Sequence, residues 1–219
     1  MEKRFTINMI YLTIPQIVFI VVVPVVVIIG IILLIRFPIA HIYQRVNFNK
    51  YVYNRIYRIV LNNDYYLINN YAFSIDDVHQ VRIDHIIFAE KYIYVCIDRY
   101  NEGNLMGSDT NASLILLSRN GDKNYVDNPF IYLSKVLRQL SSATGLPTEM
   151  MIGLIIVNDD CQTKIDSKSS QLFLLNRKQL TKLIKTIESR DIPKINPDEL
   201  DKAVKALYER NENKDIKGR

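Results

Sequence analysis

The chain has no tryptophan, and it has only two cysteines and three histidines in 219 residues. The cysteines, Cys96 and Cys161, lie 65 positions apart, which excludes a closely spaced pair of metal-binding thiolates and disfavours a disulfide framework. We therefore expect both thiols to be reduced and buried. The histidines are too few and too scattered for a histidine-rich metal site, and they are His41, His79 and His85.

A strong charge of one sign is also absent. The formal net charge is +5, and the chain without its basic N-terminal segment has 25 basic and 22 acidic residues, or +3. An excess of this size does not indicate nucleic-acid binding by itself. The length that follows the N-terminal segment suits one globular domain and is short for two.

One N-terminal segment lacks polar side chains almost completely. The 19 residues from Ile17 to Ile35 are apolar and are interrupted only by Pro24 and Gly30. At 1.5 Å per residue they would cover about 29 Å, which is the thickness of a bilayer core. The main alternative is a cleaved signal peptide, but the apolar run is long and no small-residue cleavage motif follows it. We predict a transmembrane helix over residues 9–36, preceded by a flank at residues 1–8.

The charges beside this segment predict its orientation. No acid follows it before Asp64, whereas Lys3 and Arg4 stand on its N-terminal side. The positive-inside rule then predicts a single-pass protein of the cell membrane whose C-terminal domain is cytoplasmic. The basic residues after the segment are Arg36, Arg45, Lys50, Arg55 and Arg58.

The rest of the chain indicates an α/β (α+β) fold in which a mixed β-sheet is flanked by helices. We predict a juxtamembrane connector at 37–50, an α/β domain at 51–190, and a C-terminal helix with a charged tail at 191–219. Strands 80–88 and 92–97 are expected to pair through the short turn between them. The other predicted strands are 65–73, 113–117, 151–157 and 171–175, and the predicted helices are 51–62, 129–144, 178–189 and 198–210.

Two neighbouring predicted strands carry the most informative pattern. Ile83-Asp84-His85-Ile86 is followed by a hairpin, by a strand that ends in Ile97-Asp98-Arg99, and by Gly103 and Gly107. In this pattern the chain resembles the nuclease-related domain (NERD) family, a branch of the restriction-endonuclease-like superfamily. The resemblance continues in Asn128-Pro129 before a helix and covers roughly residues 50–190. It implies a restriction-endonuclease-like fold.

The resemblance also implies where a catalytic site would lie. Asp84 matches the aspartate that binds the metal ion, and Arg99 matches the lysine that orients the attacking water. Ile97 stands where the family has its metal-binding glutamate, and Asn54 lies near the position of a further acid on the first helix. Mg²⁺ is implied only if the site is active. We therefore interpret the site as degenerate.

Asp98 is the alternative acid beside the lost glutamate. Because side chains alternate along a strand, a one-residue offset directs Asp98 to the opposite face, and only a bulge would return it to the site. Asp84 alone could also be an acid that is kept for folding. We expect His85 to be a packed or surface residue, Asp159-Asp160 to be a solvated loop, and the basic residues of the 178–189 segment to form a solvated helix face. These are Lys178, Lys182 and Lys185, with Arg190 just beyond.

The sequence leaves three functions open. The first is a membrane-anchored nuclease-related domain without catalysis, which binds DNA or RNA or acts as a scaffold for unknown protein partners. The second is an active metal-dependent nuclease that uses Asp84 and Asp98. The third is a structural protein whose basic and aromatic connector contacts anionic lipid head groups.

Overall fold

The computed structural model describes residues 14–74 and 80–212 of the chain. The predicted flank at 1–8 and the end of the charged tail from residue 213 lie outside these residues. Four α-helices are present in the described part: α1 (Ile14–Asn63), α2 (Pro129–Thr144), α3 (Leu180–Glu188) and α4 (Pro197–Arg210). The strands are β1 (Tyr66–Ser74), β2 (Gln80–Phe88), β3 (Ile93–Arg99), β4 (Gly103–Ser108), β5 (Ser113–Ser118), β6 (Lys123–Asp127), β7 (Met151–Val157), β8 (Thr163–Asp166) and β9 (Leu172–Asn176).

The predicted transmembrane helix at 9–36 is not supported. Within the described residues, no helix is both long enough and apolar enough to cross a membrane. The prediction of a single-pass protein of the cell membrane with a cytoplasmic domain is therefore wrong. Residues 9–13 of the predicted helix lie outside the described part.

The chain divides into two compact units, residues 1–47 and residues 48–219. The described part of the first unit is helical from Ile14. The second unit contains all the strands, the end of α1 and helices α2 to α4. It is a mixed α/β unit with two β-sheets, where the sequence predicted one.

The larger sheet has the strand order β1-β2-β3-β7-β9. Strands β1, β2 and β3 pair as antiparallel neighbours, so the predicted pairing of residues 80–88 with 92–97 is confirmed. Strands β3, β7 and β9 are parallel, and their carboxyl ends therefore lie at one edge of the sheet. In open α/β sheets this edge is where ligands usually bind.

Helices cover both faces of the larger sheet. Side chains alternate along β3, so Ile93, Val95 and Ile97 belong to one core cluster while Tyr94 and Cys96 belong to another. The first cluster contains the apolar stripes of α2 and α4, and the second contains those of α3 and of the last turns of α1. We call these the α2 face and the α1 face of the sheet.

The smaller sheet has the order β6-β5-β4-β8, with β4 and β8 parallel. It depends on the two glycines of the family pattern. Gly103 has φ +150°, and a Cβ atom added there would overlap the backbone carbonyl of Leu117 on the paired strand β5. Gly107 has φ +138° and lies against Leu114. These positions need glycine because the backbone conformation is unfavourable for other residues and the neighbouring strand is very close.

Candidate functional site at the end of strand β3

Ile97 and Arg99, two residues of the nuclease-like pattern, lie in different surroundings on strand β3. Ile97 is only 1% exposed and is packed in the core of the α2 face. Arg99 is the last residue of β3, where it is exposed and lines a cavity. The position of the family's metal-binding glutamate is therefore occupied by a buried core side chain.

Asp84 and Asp98 are brought together, but through the backbone of Asp98. The N–H of Asp98 donates to the Asp84 carboxylate at 2.7 Å. The regular β2–β3 pairing runs only from His85–Cys96 to Phe88–Ile93, so Asp84 stands where the ladder ends. In a regular ladder a backbone carbonyl of the neighbouring strand would accept from this N–H. Here one oxygen of the Asp84 carboxylate accepts instead.

The strand irregularity lies in β2 and not in β3. Ile83 and Ile86 pack in the same cluster although they are three residues apart, so the alternation of side chains is interrupted at Asp84 and His85. The alternation of β3 continues regularly, and it keeps Asp98 away from the face of Ile97. The bulge that would turn Asp98 toward the site is therefore absent from the described strand β3.

The side chain of Asp98 is fully buried beside a histidine. Its Oδ2 lies 3.3 Å from His85 Nε2, and the other ring nitrogen of His85 lies 2.7 Å from Asn69 Oδ1. An amide oxygen can only accept, so His85 Nδ1 carries a proton that it donates to Asn69. A hydrogen bond between His85 Nε2 and Asp98 Oδ2 then requires a proton on one of these two atoms. The expectation that His85 is a packed residue agrees with this position.

Burial raises the pKa of the Asp98 carboxyl, and this effect exceeds the opposing influence of His85. Nearby Asp84 raises the pKa further, whereas Arg99 lowers it. The second oxygen of Asp98, Oδ1, is buried without a hydrogen-bond partner in the described chain. A neutral, protonated carboxyl tolerates such a position better than a carboxylate does. Asp98 is therefore favoured as a proton donor to His85.

Cys96 lies on the same face and opposite His85 in the register. It is a free, fully buried thiol, and burial together with Asp98 and Asp84 raises its pKa well above the usual value. Cys161 is also free and buried. The expectation of reduced, buried thiols is confirmed, and the protonated form of Cys96 is not a nucleophile.

A cavity of about 300 Å³ adjoins the exposed end of β3. Its polar wall includes Arg99, Asn101 and Tyr132, and its apolar wall includes Leu105 and Ile155. The guanidinium of Arg99 has no hydrogen bond or ion pair to another described side chain, and it remains available to a ligand. The other lining residues are Val126, Asp127, Asn128 and Pro129.

Asn128 holds the wall of this cavity in place. Its side-chain oxygen caps helix α2 by accepting from Phe130 N at 3.0 Å, and its amide nitrogen donates to three carbonyls of the β4–β5 connection. These are the carbonyls of Ser108, Asp109 and Asn111. Asn128-Pro129, which sequence resemblance placed before a helix, is thus the point that joins α2 to the smaller sheet.

The donor set does not suit a divalent cation. Mg²⁺ requires several oxygen ligands in near-octahedral geometry. Here Ile97 supplies none, one oxygen of Asp84 accepts a backbone N–H, and Asp98 is buried against His85. Asn54 on α1 is exposed and adds no acid. Among residues 14–74 and 80–212, no three His, Cys, Asp or Glu side chains form a group that could hold a metal ion.

Three residues of the site were missed by sequence reasoning. Asn69 and Tyr132 come from β1 and α2, and nothing in their local sequence distinguishes them from ordinary polar residues. Asn101 was missed as well, although its position two residues after Arg99 could have indicated it. Its backbone N–H donates to the buried side chain of Asn158 at the end of β7.

No family model matches the chain, and no curated protein is similar to it in sequence. The chain is similar in structure to AF1548, a protein of unknown function with a crystal structure. The similarity covers 72% of this chain and 78% of AF1548. The sequence identity is 11% and the TM-score is 0.34. A likeness of this size carries no argument about function, and the NERD family stays a prediction.

Proposed function

We propose that residues 48–219 form a nuclease-related domain that binds nucleic acid without hydrolysing it. The strongest support is that Ile97, which matches the metal-binding glutamate of the NERD family, is a core residue on the α2 face. Without a second carboxylate beside Asp84, the site lacks the ligands that would hold a metal ion and activate water. A scaffolding role for the same domain is compatible with this site.

The cation at the end of β3 supports a binding role. Arg99 is exposed at the mouth of the 300 Å³ cavity, next to the amide of Asn101 and the phenol of Tyr132. A guanidinium can bind a phosphate through two parallel hydrogen bonds. Because a guanidinium is a rigid hydrogen-bond donor and no general base, Arg99 is suited to holding a phosphate and not to activating water.

Binding of a short DNA duplex and of a single-stranded RNA to the full-length chain, measured over a series of salt concentrations, tests this proposal. We expect affinity that falls with salt because counterions are released from the nucleic acid. Arg99→Ala should weaken binding several-fold and reduce the salt slope by about one.

The matched control is Arg138→Ala, which removes an exposed arginine from helix α2 outside this cavity. It should leave the affinity close to that of the native chain. Binding that is undetectable at low salt, or that is equally sensitive to both substitutions, would contradict the proposal.

The alternative of an active nuclease that uses Asp84 and Asp98 is less well supported. The Asp98 carboxyl is fully buried and faces His85 on the α1 face, while Arg99 lines the cavity on the other side. For Asp98 to join Asp84 at a metal ion, β3 would have to turn by one residue and break its register with β7.

A further inference from the structure

A second cavity lies on the opposite side of the sheet, between the end of α1 and helix α3. Its volume is about 540 Å³, which is within the range of small-molecule sites. Arg55, Arg58 and Asn62 follow one face of α1, and Lys185 and Glu188 follow one face of α3, at helical spacings. The buried side chains of Ile59 and Ile184 form its floor, and Asn63, Tyr65, Thr181 and Ser189 complete its wall.

The charge of this α1–α3 groove is unbalanced. Arg55, Arg58 and Lys185 line it, and no side chain of the three has a hydrogen bond or an ion pair within the described residues. Glu188 is the only acid among the lining residues, and its two oxygens are occupied by Tyr94 OH at 2.7 Å and by Lys91 N at 3.1 Å. Three cations therefore face the cavity with one carboxylate among its lining residues, a formal excess of two positive charges.

Two polar atoms at the walls of the groove also lack partners. Arg55 Nε and Thr181 Oγ1 are buried and make no hydrogen bond within the described chain. A buried polar group without a hydrogen bond destabilises the folded state, and a ligand that bonds to it would remove this cost. Arg55, Arg58 and Lys185 can only donate hydrogen bonds, so the partner that suits them carries acceptor oxygens.

The lining matches one chemical class. Two guanidinium groups, an ammonium group and a hydroxyl provide donors for the several oxygens of a phosphate. The cavity is larger than inorganic phosphate requires, and Ile59, Ile184 and Tyr65 offer contact for an organic part. From this we infer that the α1–α3 groove binds a small organic phosphate. The inference does not rest on the proposed nucleic-acid site, which lies on the other face of the sheet.

Thermal unfolding of the full-length chain with added ligand tests the inference. The probes are inorganic pyrophosphate, adenosine 5′-monophosphate and, as the control without phosphate, adenosine. Both phosphates should raise the unfolding temperature, because they bind the folded state only, and adenosine should not. A charged hydrogen bond to phosphate contributes more than 1.4 kcal/mol, so Lys185→Ala and Arg58→Ala should each weaken phosphate binding about tenfold.

Lys182→Ala is the matched control, because it removes the same charge from an exposed position of the same helix without touching the groove. It should bind both phosphates like the native chain. Equal losses from Lys182→Ala and Lys185→Ala would overturn the inference, and so would the absence of any shift with both phosphates. Binding of an oligonucleotide that depends on Lys185, without binding of the small phosphates, would also overturn it and identify the groove as a nucleic-acid contact.

Discussion

The carboxyl group of Asp98 is fully buried and lies 3.3 Å from the imidazole of His85. The pKa of this carboxyl is raised, mainly by burial and also by Asp84, while His85 and Arg99 oppose the shift. At the scale of single residues the same electrostatics raises the pKa of Cys96. Asp98, His85 and half-buried Asn69 thus form a hydrogen-bonded network on the α1 face.

Asp98→Asn tests this network. A raised pKa means that protonated Asp98 contributes stability that is fully present below the usual carboxyl pKa of about 4 and is lost as the pH rises through the raised value. The amide cannot ionise and can still donate to His85 Nε2. The native chain should therefore lose stability relative to the variant as the pH is raised from about 4, as measured by urea unfolding at a series of pH values. A difference that is constant with pH, or one that grows in favour of the native chain, would contradict this.

At the scale of elements, the two asparagine caps offer a direct comparison. Asn128 and Asn196 both precede a proline and both accept from the backbone N–H two residues later. Only Asn128 is buried and also donates to three carbonyls, which connect α2 to the smaller sheet.

Asn196→Ala should cost about 1 kcal/mol, the usual effect of a lost cap. Asn128→Ala should cost about 2–4 kcal/mol, because the part-buried carbonyl contacts lose their donor in addition. Chemical denaturation of both variants measures the difference. Equal costs would show that the three carbonyl contacts of Asn128 contribute little.

Elements with strong patterns could be predicted from the sequence. Alternation gave the observed bounds of β2, a continuous apolar run gave those of β7, and helical spacing of apolar residues gave those of α2. Strands β4, β6 and β8 were missed because they are short, largely polar and half-exposed or exposed, and β4 contains two glycines. Such strands are stabilised by their pairing partners, which local sequence does not show. The prediction of a transmembrane helix at 9–36 was wrong because it rested on the hydropathy of the sequence alone.

The candidate site could also be predicted only in part. The opposite orientations of Ile97 and Asp98 followed from strand alternation and agree with the structure. The partnership of Asp98 with His85 could not be predicted, because it requires the interrupted alternation of β2 at Asp84. Lys185 was predicted only as part of a solvated helix face, because its position in one cavity with Arg58 depends on tertiary packing.

At the scale of the whole molecule, the larger sheet separates two polar regions. Arg99 and its cavity lie on the α2 face, and the groove with Arg58 and Lys185 lies on the α1 face. The Asp98–His85 pair is buried on the α1 face. The predicted NERD resemblance would put the catalytic acids at Asp84 and Ile97, where Asp84 accepts the backbone N–H of Asp98 and Ile97 is a core residue.

The most direct test is a cleavage assay on duplex and single-stranded DNA and on RNA, with the purified full-length chain in Mg²⁺ and in Mn²⁺. The control is Asp84→Ala, which removes the remaining carboxylate at the family's metal position. With Ile97 in the core there is no second ligand for the ion, and without a bound ion no water is activated. We predict no cleavage above that of the Asp84→Ala control. Metal-dependent cleavage by the native chain that is lost on Asp84→Ala would contradict the interpretation of the site as non-catalytic.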